Sequence, residues 1–172
     1  LLQLFAGLNP ERIMGAAYSN GMSRFALAKA VEYAKTRTVW KDAPIGSHQA
    51  IAHPLAKIKI ELEQSKLLHQ KAAALYDAGD DMGAGEYANM AKYAAGEVAC
   101  NSTDVAVHTH GGSGLTSELG LANMLVAARL GRMAFQEAAI RPLVKLVADP
   151  DRRGYDLHRR QVNRRRAVAR QE

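Results

Sequence analysis

With 172 residues, 48% of them hydrophobic and only 6% aromatic, the chain is long enough to bury one core and too poor in aromatic and alternating segments for a β-sandwich. Its formal charge of +6 sits almost wholly at the end, where residues 151–172 carry eight Arg against Asp151, Asp156 and Glu172; the body is close to neutral, and the charge alone does not make the chain a nucleic-acid binder. The lone Cys100 excludes an internal disulfide, and no run nears the roughly 18 apolar residues of a membrane span or has the flanks of a signal peptide, so a soluble, cytoplasmic protein with no membrane partner is expected.

The chain begins with Leu rather than Met, inside an apolar phrase, and reads as a piece of something longer. Leu8-Asn9-Pro10-Glu11-Arg12 has the form of a helix start: Asn9 can accept free N–H groups of a first turn, Pro10 suits the first helical position, and Glu11 stands near the positive end of the dipole. A helix from Pro10 to about Thr36 follows, with Ile13, Ala16, Ala17, Met22, Phe25, Leu27, Ala28, Val31 and Ala34 as apolar surface. Gly15 and Gly21 inside it predict close approach of a neighbour or ligand, since each costs a lone helix about 1 kcal/mol relative to Ala.

Arg37 to Gly46 is loop chemistry and holds the chain's one Trp, Trp40. Ser47 is the expected N-cap of a second helix reaching about Asp77, in which Pro54 forces a bend or a separate first turn. A Gly- and Asp-rich turn over Ala78 to Gly85 leads to a third helix, Glu86 to about His110, whose inner face is largely Ala and includes Cys100 as a small core residue.

His108-Thr109-His110-Gly111-Gly112-Ser113-Gly114 ends that helix. Three glycines in four residues are first of all a helix stop, and they also form the chain's only Gly-rich loop, able to bring backbone N–H groups close to a phosphate. No Lys-Ser/Thr follows and no strand precedes, which excludes a P-loop and a dinucleotide fingerprint. Helical stretches over about Leu119 to Gly131 and Arg132 to Val147 come next, and Asp149-Pro150 closes the compact part. The expected architecture is all-α, an up-and-down four-helix bundle with an additional short helix over residues 1–150, then an Arg-rich tail over 151–172 whose simplest role is a solvated basic extension. His108 and His110, two apart, diverge on a helix, and no His-x-x-x-His or Glu-x-x-His pair exists, so no metal site is expected.

Three separated stretches then converge on one resemblance. Arg37-Thr38-Val39-Trp40, with Pro44-Ile45 and His48-Gln49, resembles the Arg-x-x-Phe-Gly-x-Pro-Ile…Gln segment of the flavin-dependent acyl-CoA dehydrogenases, with Trp40 for the usual Phe and one residue inserted before Pro44. Val107 to Gly114 is similar to the family's Val-Gln-Ile-His-Gly-Gly-x-Gly, with His108 at the Gln position. The order and spacing match those of the family's C-terminal helical domain over about Leu8 to Val147.

That resemblance implies an FAD site made across a subunit interface, hence a homo-dimer or homo-tetramer. Arg37, Thr38, Val39, Trp40, His48, Gln49, His108, Thr109, His110, Gly111 and Gly112 fall on its cofactor side. Arg37 can engage a pyrophosphate through its fork of donors, and Trp40 can cover an aromatic ring. The implied reaction oxidises acyl-CoA to its α,β-enoyl form by α-proton abstraction and β-hydride transfer to flavin, with an electron-transfer flavoprotein or similar acceptor as partner.

Many members carry the base in a Tyr-Glu-Gly-Thr segment, and the matching stretch here, Met133 to Glu137, places Phe135 at that position. Isovaleryl and long-chain types instead place it in a Leu-x-x-Glu-Arg segment, which Leu8 to Arg12 resembles residue by residue. Glu11 thereby inherits the role of base, and Asn9 and Arg12 fall where the family contacts the CoA portion. Glu137 and Ala139 depart from the residues that usually contact FAD beyond the base. The replaced residues at Phe135 and Glu137 motivate the alternative of a non-catalytic assembly module, and without the family's N-terminal helical and middle β domains the fragment is not expected to turn over.

Overall fold

The computed structural model describes residues 2–40 and 42–133, with side chains from residue 7 on and apart from Trp40. The elements are helix α1 (Leu2–Thr36), strands β1 (Thr38–Trp40) and β2 (Ala43–Pro44), a 3-10 turn over Ile45–Ser47, helices α2 (Gln49–Asp77) and α3 (Asp81–His110), a second 3-10 turn over Gly111–Leu115, and helix α4 (Leu121–Met133). The all-α expectation holds, with one small antiparallel strand pair added.

The direction of each helix follows from contacts at its ends. Asn9 near the start of α1 donates to the Asp81 carbonyl at the start of α3, and Tyr33 near the end of α1 stacks on His110 at the end of α3. So α1 and α3 run parallel. The tight turn over residues 78–80 reverses α2 against α3, and α4 runs back along α3 until Lys92 Nζ donates to the Gly131 carbonyl at 3.0 Å and Glu97 pairs with Arg132 at 3.0 Å. The result is up-and-down.

Small side chains let these helices approach. Ala16, Ala26, Ala30, Ala88, Ala91, Ala95 and Ala106 are fully buried, and Leu55, Ile58, Leu62, Val98 and Leu121 fill the wider part of the core. A Cβ on Gly96 would lie 3.7 Å from the Arg132 Cα, a direct measure of how near α4 comes to α3. Cys100 is buried beside Ala99 and Ala128, as a small core residue. No helix among the described residues is long and apolar enough to cross a membrane.

Several boundaries differ from the local signals. The first helix begins at Leu2, so Pro10 is an interior residue, Asn9 is not an N-cap and Glu11 does not stand in a first turn. Asn9 instead spends its amide on α3, a partner 72 positions away. Ser47 belongs to the 3-10 turn, where its Oγ donates to the Pro44 carbonyl at 2.7 Å, and α2 starts at Gln49 from an extended His48. Pro54 is carried without a break, because the donor it lacks would have served only the Ala50 carbonyl at the exposed mouth of α2. The third helix starts at Asp81, five residues before the expected Glu86, because the Asp80 carboxylate accepts from the Gly83 N–H at 3.0 Å and caps it.

The two glycines of α1 also part company. A Cβ on Gly15 would meet the Lys92 Cε at 3.2 Å, whereas nothing described lies within 4 Å of one on Gly21. Close packing therefore accounts for the first glycine and not for the second. The expected break between two final helices at Gly131 is absent as well, since α4 continues through Arg132 to Met133. The remainder of the expected last helix, the stretch holding Phe135, Glu137 and Ala139, and the Arg-rich tail lie outside the described residues.

Candidate functional site

Polar chemistry collects at the two ends of the bundle. At the end where α1 and α3 finish, Arg37, Thr38 and Val39 leave the helix as exposed residues, and the Ile45 N–H donates to the Arg37 carbonyl at 2.8 Å to fold the loop back. That fold places His48 and Gln49, both exposed, at the start of α2 on the same end. Among the described residues the Arg37 side chain has no hydrogen-bond or ion-pair partner, so its fork of donors is available.

The histidine-glycine segment divides its work residue by residue. His108 is exposed, with Nδ1 3.6 Å from Asp104 Oδ2, while His110 is buried, so the two rings do diverge. Thr109 Oγ1 donates to the Val105 carbonyl at 2.7 Å, and His110 Nδ1 donates to the Ala106 carbonyl at 2.7 Å while its ring stacks on Tyr33. Both hydrogen bonds stay within the last turns of α3, and the Tyr33 stack joins that helix end to α1. Gly111 adopts a left-handed φ of 61°, and a Cβ on Gly112 would meet nothing described within 4 Å. Gly114 is required for another reason: a Cβ there would fall 2.6 Å from the Val107 carbonyl oxygen. The exposed backbone is that of Gly111 and Gly112.

At the opposite end lie Asn9, Glu11 and Arg12. Glu11 is exposed, and its face of α1 continues through Met14 and Tyr18, which are 68% and 70% exposed. Arg12 is buried; burial lowers its pKa from the ordinary value, and the adjacent Glu11 carboxylate acts in the other direction. Glu11 and Thr36 belong to one continuous helix, which at 1.5 Å per residue separates them by roughly 37 Å. Glu11 and the Gly111-Gly112 loop of one chain therefore cannot meet at the reactive ring of one ligand.

Sequence reasoning missed Tyr33, Asn89 and Lys92. The last two are buried polar residues of α3 set among Ala84, Ala88, Ala91, Ala95 and Gly96, and that contrast was the available signal. Burial lowers the Lys92 pKa, and its ammonium donates to the Gly131 carbonyl. Among the described residues no group of three or more His, Cys, Asp or Glu is placed to hold a metal ion.

These features define a helical-bundle domain with an exposed arginine and an open glycine backbone at one end and an exposed carboxylate next to a buried arginine at the other. The chain belongs to the acyl-CoA dehydrogenase family, residues 3–149 matching the family's model for the acyl-CoA dehydrogenase C-terminal domain. It is 62% identical over 134 residues to acyl-CoA dehydrogenase FadE12 of Mycobacterium tuberculosis, an alignment covering 78% of this chain and 34% of that protein. The chain thus spans about a third of the length of that relative.

Its fold is similar to that of butyryl-CoA dehydrogenase from Megasphaera elsdenii, with a TM-score of 0.79 and 29% identity over 84% of this chain and 38% of the other. A structure of PigA with FAD and proline matches with a TM-score of 0.77 and 25% identity, over 82% of this chain and 37% of that one.

Proposed function

We propose that this domain is the C-terminal part of an FAD-dependent acyl-CoA dehydrogenase that oxidises acyl-CoA to trans-2-enoyl-CoA. When bound, FAD supplies the acceptor for the β-hydride. The residues at the Arg37 end suit such a group: an exposed guanidinium without a described partner, an exposed Gln49 amide and the open backbone of Gly111-Gly112 can hold a pyrophosphate-bearing dinucleotide. Thr38, Val39, Trp40, His48 and His108 belong to the same cofactor-holding end, with Thr109 and His110 in the last turn of α3 before its loop.

Glu11 is the base in this reading. Its exposed carboxylate takes the α-proton of the acyl thioester, and the electron pair left behind drives departure of the β-hydride as the Cα–Cβ double bond forms. Arg12, with Asn9 beside it, holds the CoA portion. An electron-transfer flavoprotein or similar acceptor would be the partner that takes up the electrons.

The observation that carries this reading is the axial distance of roughly 37 Å between Glu11 and the end of α1, because it separates base and cofactor loops of one chain and supports a site shared between two subunits. A homo-dimer or homo-tetramer follows from that sharing. The test uses the full-length protein. Glu11→Gln keeps the yellow, FAD-bound state and abolishes bleaching of the flavin band by acyl-CoA; bleaching at the wild-type rate overturns the assignment, and a full-length protein without flavin absorbance favours a non-catalytic assembly module.

A further inference from the structure

Between α1 and α3, at the Glu11 end, a buried acceptor and a buried cation occupy matching levels without being joined. The Asn9 Oδ1 lies 3.3 Å from where a Cβ on Gly85 would stand, and the Lys92 Cε lies 3.2 Å from where one on Gly15 would stand. Because the helices are parallel, Arg12, midway between Asn9 and Gly15, comes level with Asn89, which lies between Gly85 and Lys92. The helical period supports the match: Asn9, Arg12 and Ala16 share one stripe of α1, and Gly85, Asn89 and Lys92 share the facing stripe of α3.

Both side chains are withdrawn from water, Arg12 at 9% exposure and Asn89 at 5%. The Asn89 Oδ1 is fully buried and has no hydrogen-bond partner among the described residues. Arg12 has no hydrogen bond or ion pair among the described residues, only the electrostatic influence of Glu11. A buried acceptor lacking a described donor, at the level of a buried group with five donors on the facing helix, is a pairing that the chemistry of both groups favours.

We propose that Asn89 is a positioning residue for Arg12, its carboxamide oxygen taking one guanidinium N–H so that the remaining donors are aimed at the CoA portion of the substrate. The proposal rests on the reading of the Glu11 end as the substrate side. It assigns to α3 a part in substrate binding that the loop motifs do not reveal, and it links the position of Arg12 to a residue that touches neither substrate nor cofactor.

The experiment uses the full-length, FAD-loaded protein with acyl-CoA. Asn89→Leu, alike in branching and side-chain heavy atoms but without the acceptor, raises KM about tenfold and leaves kcat within about twofold, as loss of one hydrogen bond to a charged group in the ground state and transition state alike predicts. Asn89→Asp keeps an acceptor and holds KM within about threefold of wild type. In a cycle with Arg12→Lys, Asn89→Leu adds less than about twofold to the KM defect, because the residue it positions is already changed.

Asn89→Ser, too short to reach, shows the same KM rise and replaces Asn89→Leu if that variant does not fold. A KM within about twofold of wild type in a folded, yellow Asn89→Leu or Asn89→Ser protein, or additive effects in the cycle, overturns the proposal. Glu11→Gln run alongside separates the two readings: bleaching retained there removes the base assignment, whereas the Asn89 assignment stands or falls on the coupling to Arg12.

Discussion

His110 stacks on Tyr33 with ring centroids 4.3 Å apart and 30° between the planes, while its Nδ1 donates to the Ala106 carbonyl at 2.7 Å. One buried ring thereby joins the last turn of α3 to the last turns of α1, and it stands immediately before the Gly111-Gly112 backbone.

Removing the ring should loosen the loop. His110→Ala in the full-length protein is expected to lower stability by about 2 kcal/mol, from lost stacking, a lost hydrogen bond and the cavity left behind. It should also release flavin more readily. Tyr33→Phe, which keeps the stacked face, should change stability by less than about 0.5 kcal/mol. Thermal unfolding followed beside flavin fluorescence checks both, and equal behaviour of the two variants would show that the stack holds nothing.

Gly112 and Gly114 should respond oppositely to the same substitution. Gly114→Ala forces a Cβ to within 2.6 Å of the Val107 carbonyl oxygen, a backbone atom that cannot swing aside, and should cost about 3 kcal/mol. Gly112→Ala meets open space and should leave stability within about 0.5 kcal/mol while weakening FAD binding. Urea unfolding paired with flavin retention separates a packing glycine from one kept for access.

A third prediction concerns acid. Asn20 Nδ2 donates to His69 Nδ1 at 3.1 Å, and Ser65 Oγ donates to Asn20 Oδ1 at 2.7 Å, so the accepting Nδ1 of His69 must be unprotonated. Burial first, and the Lys66 charge second, lower the His69 pKa from its ordinary 6.5. The unfolded chain therefore takes up the proton at a higher pH than the folded one. The contribution of this group is fully present above 6.5 and is lost as pH falls from there through the lower folded value. Melting temperature should fall over that window in the wild type, and His69→Gln should flatten the slope; an unchanged slope would exclude His69 as its source.

Local signals were enough to make the chain legible as an all-α bundle, to place Cys100 in the core and to set His108 and His110 on different faces, because helical period and side-chain size act over a few residues. The order of the Arg37 and Gly111-Gly112 segments likewise points to the family. Other features depended on partners far along the chain. Asn9 has the chemistry of an N-cap, yet its amide is committed to the Asp81 carbonyl; Gly15 and Gly21 read alike, yet only Gly15 has Lys92 against it.

The tertiary structure also decided which glycine packs and which remains open, that Thr109 and His110 turn inward, and that the Glu11 and Arg37 ends lie roughly 37 Å apart along one helix. The physical reason is common to all of them. A side chain's local preferences depend on its neighbours in sequence and can be read there, whereas whether its hydrogen bonds and surface are used by another helix depends on packing between segments that sequence order leaves tens of residues apart.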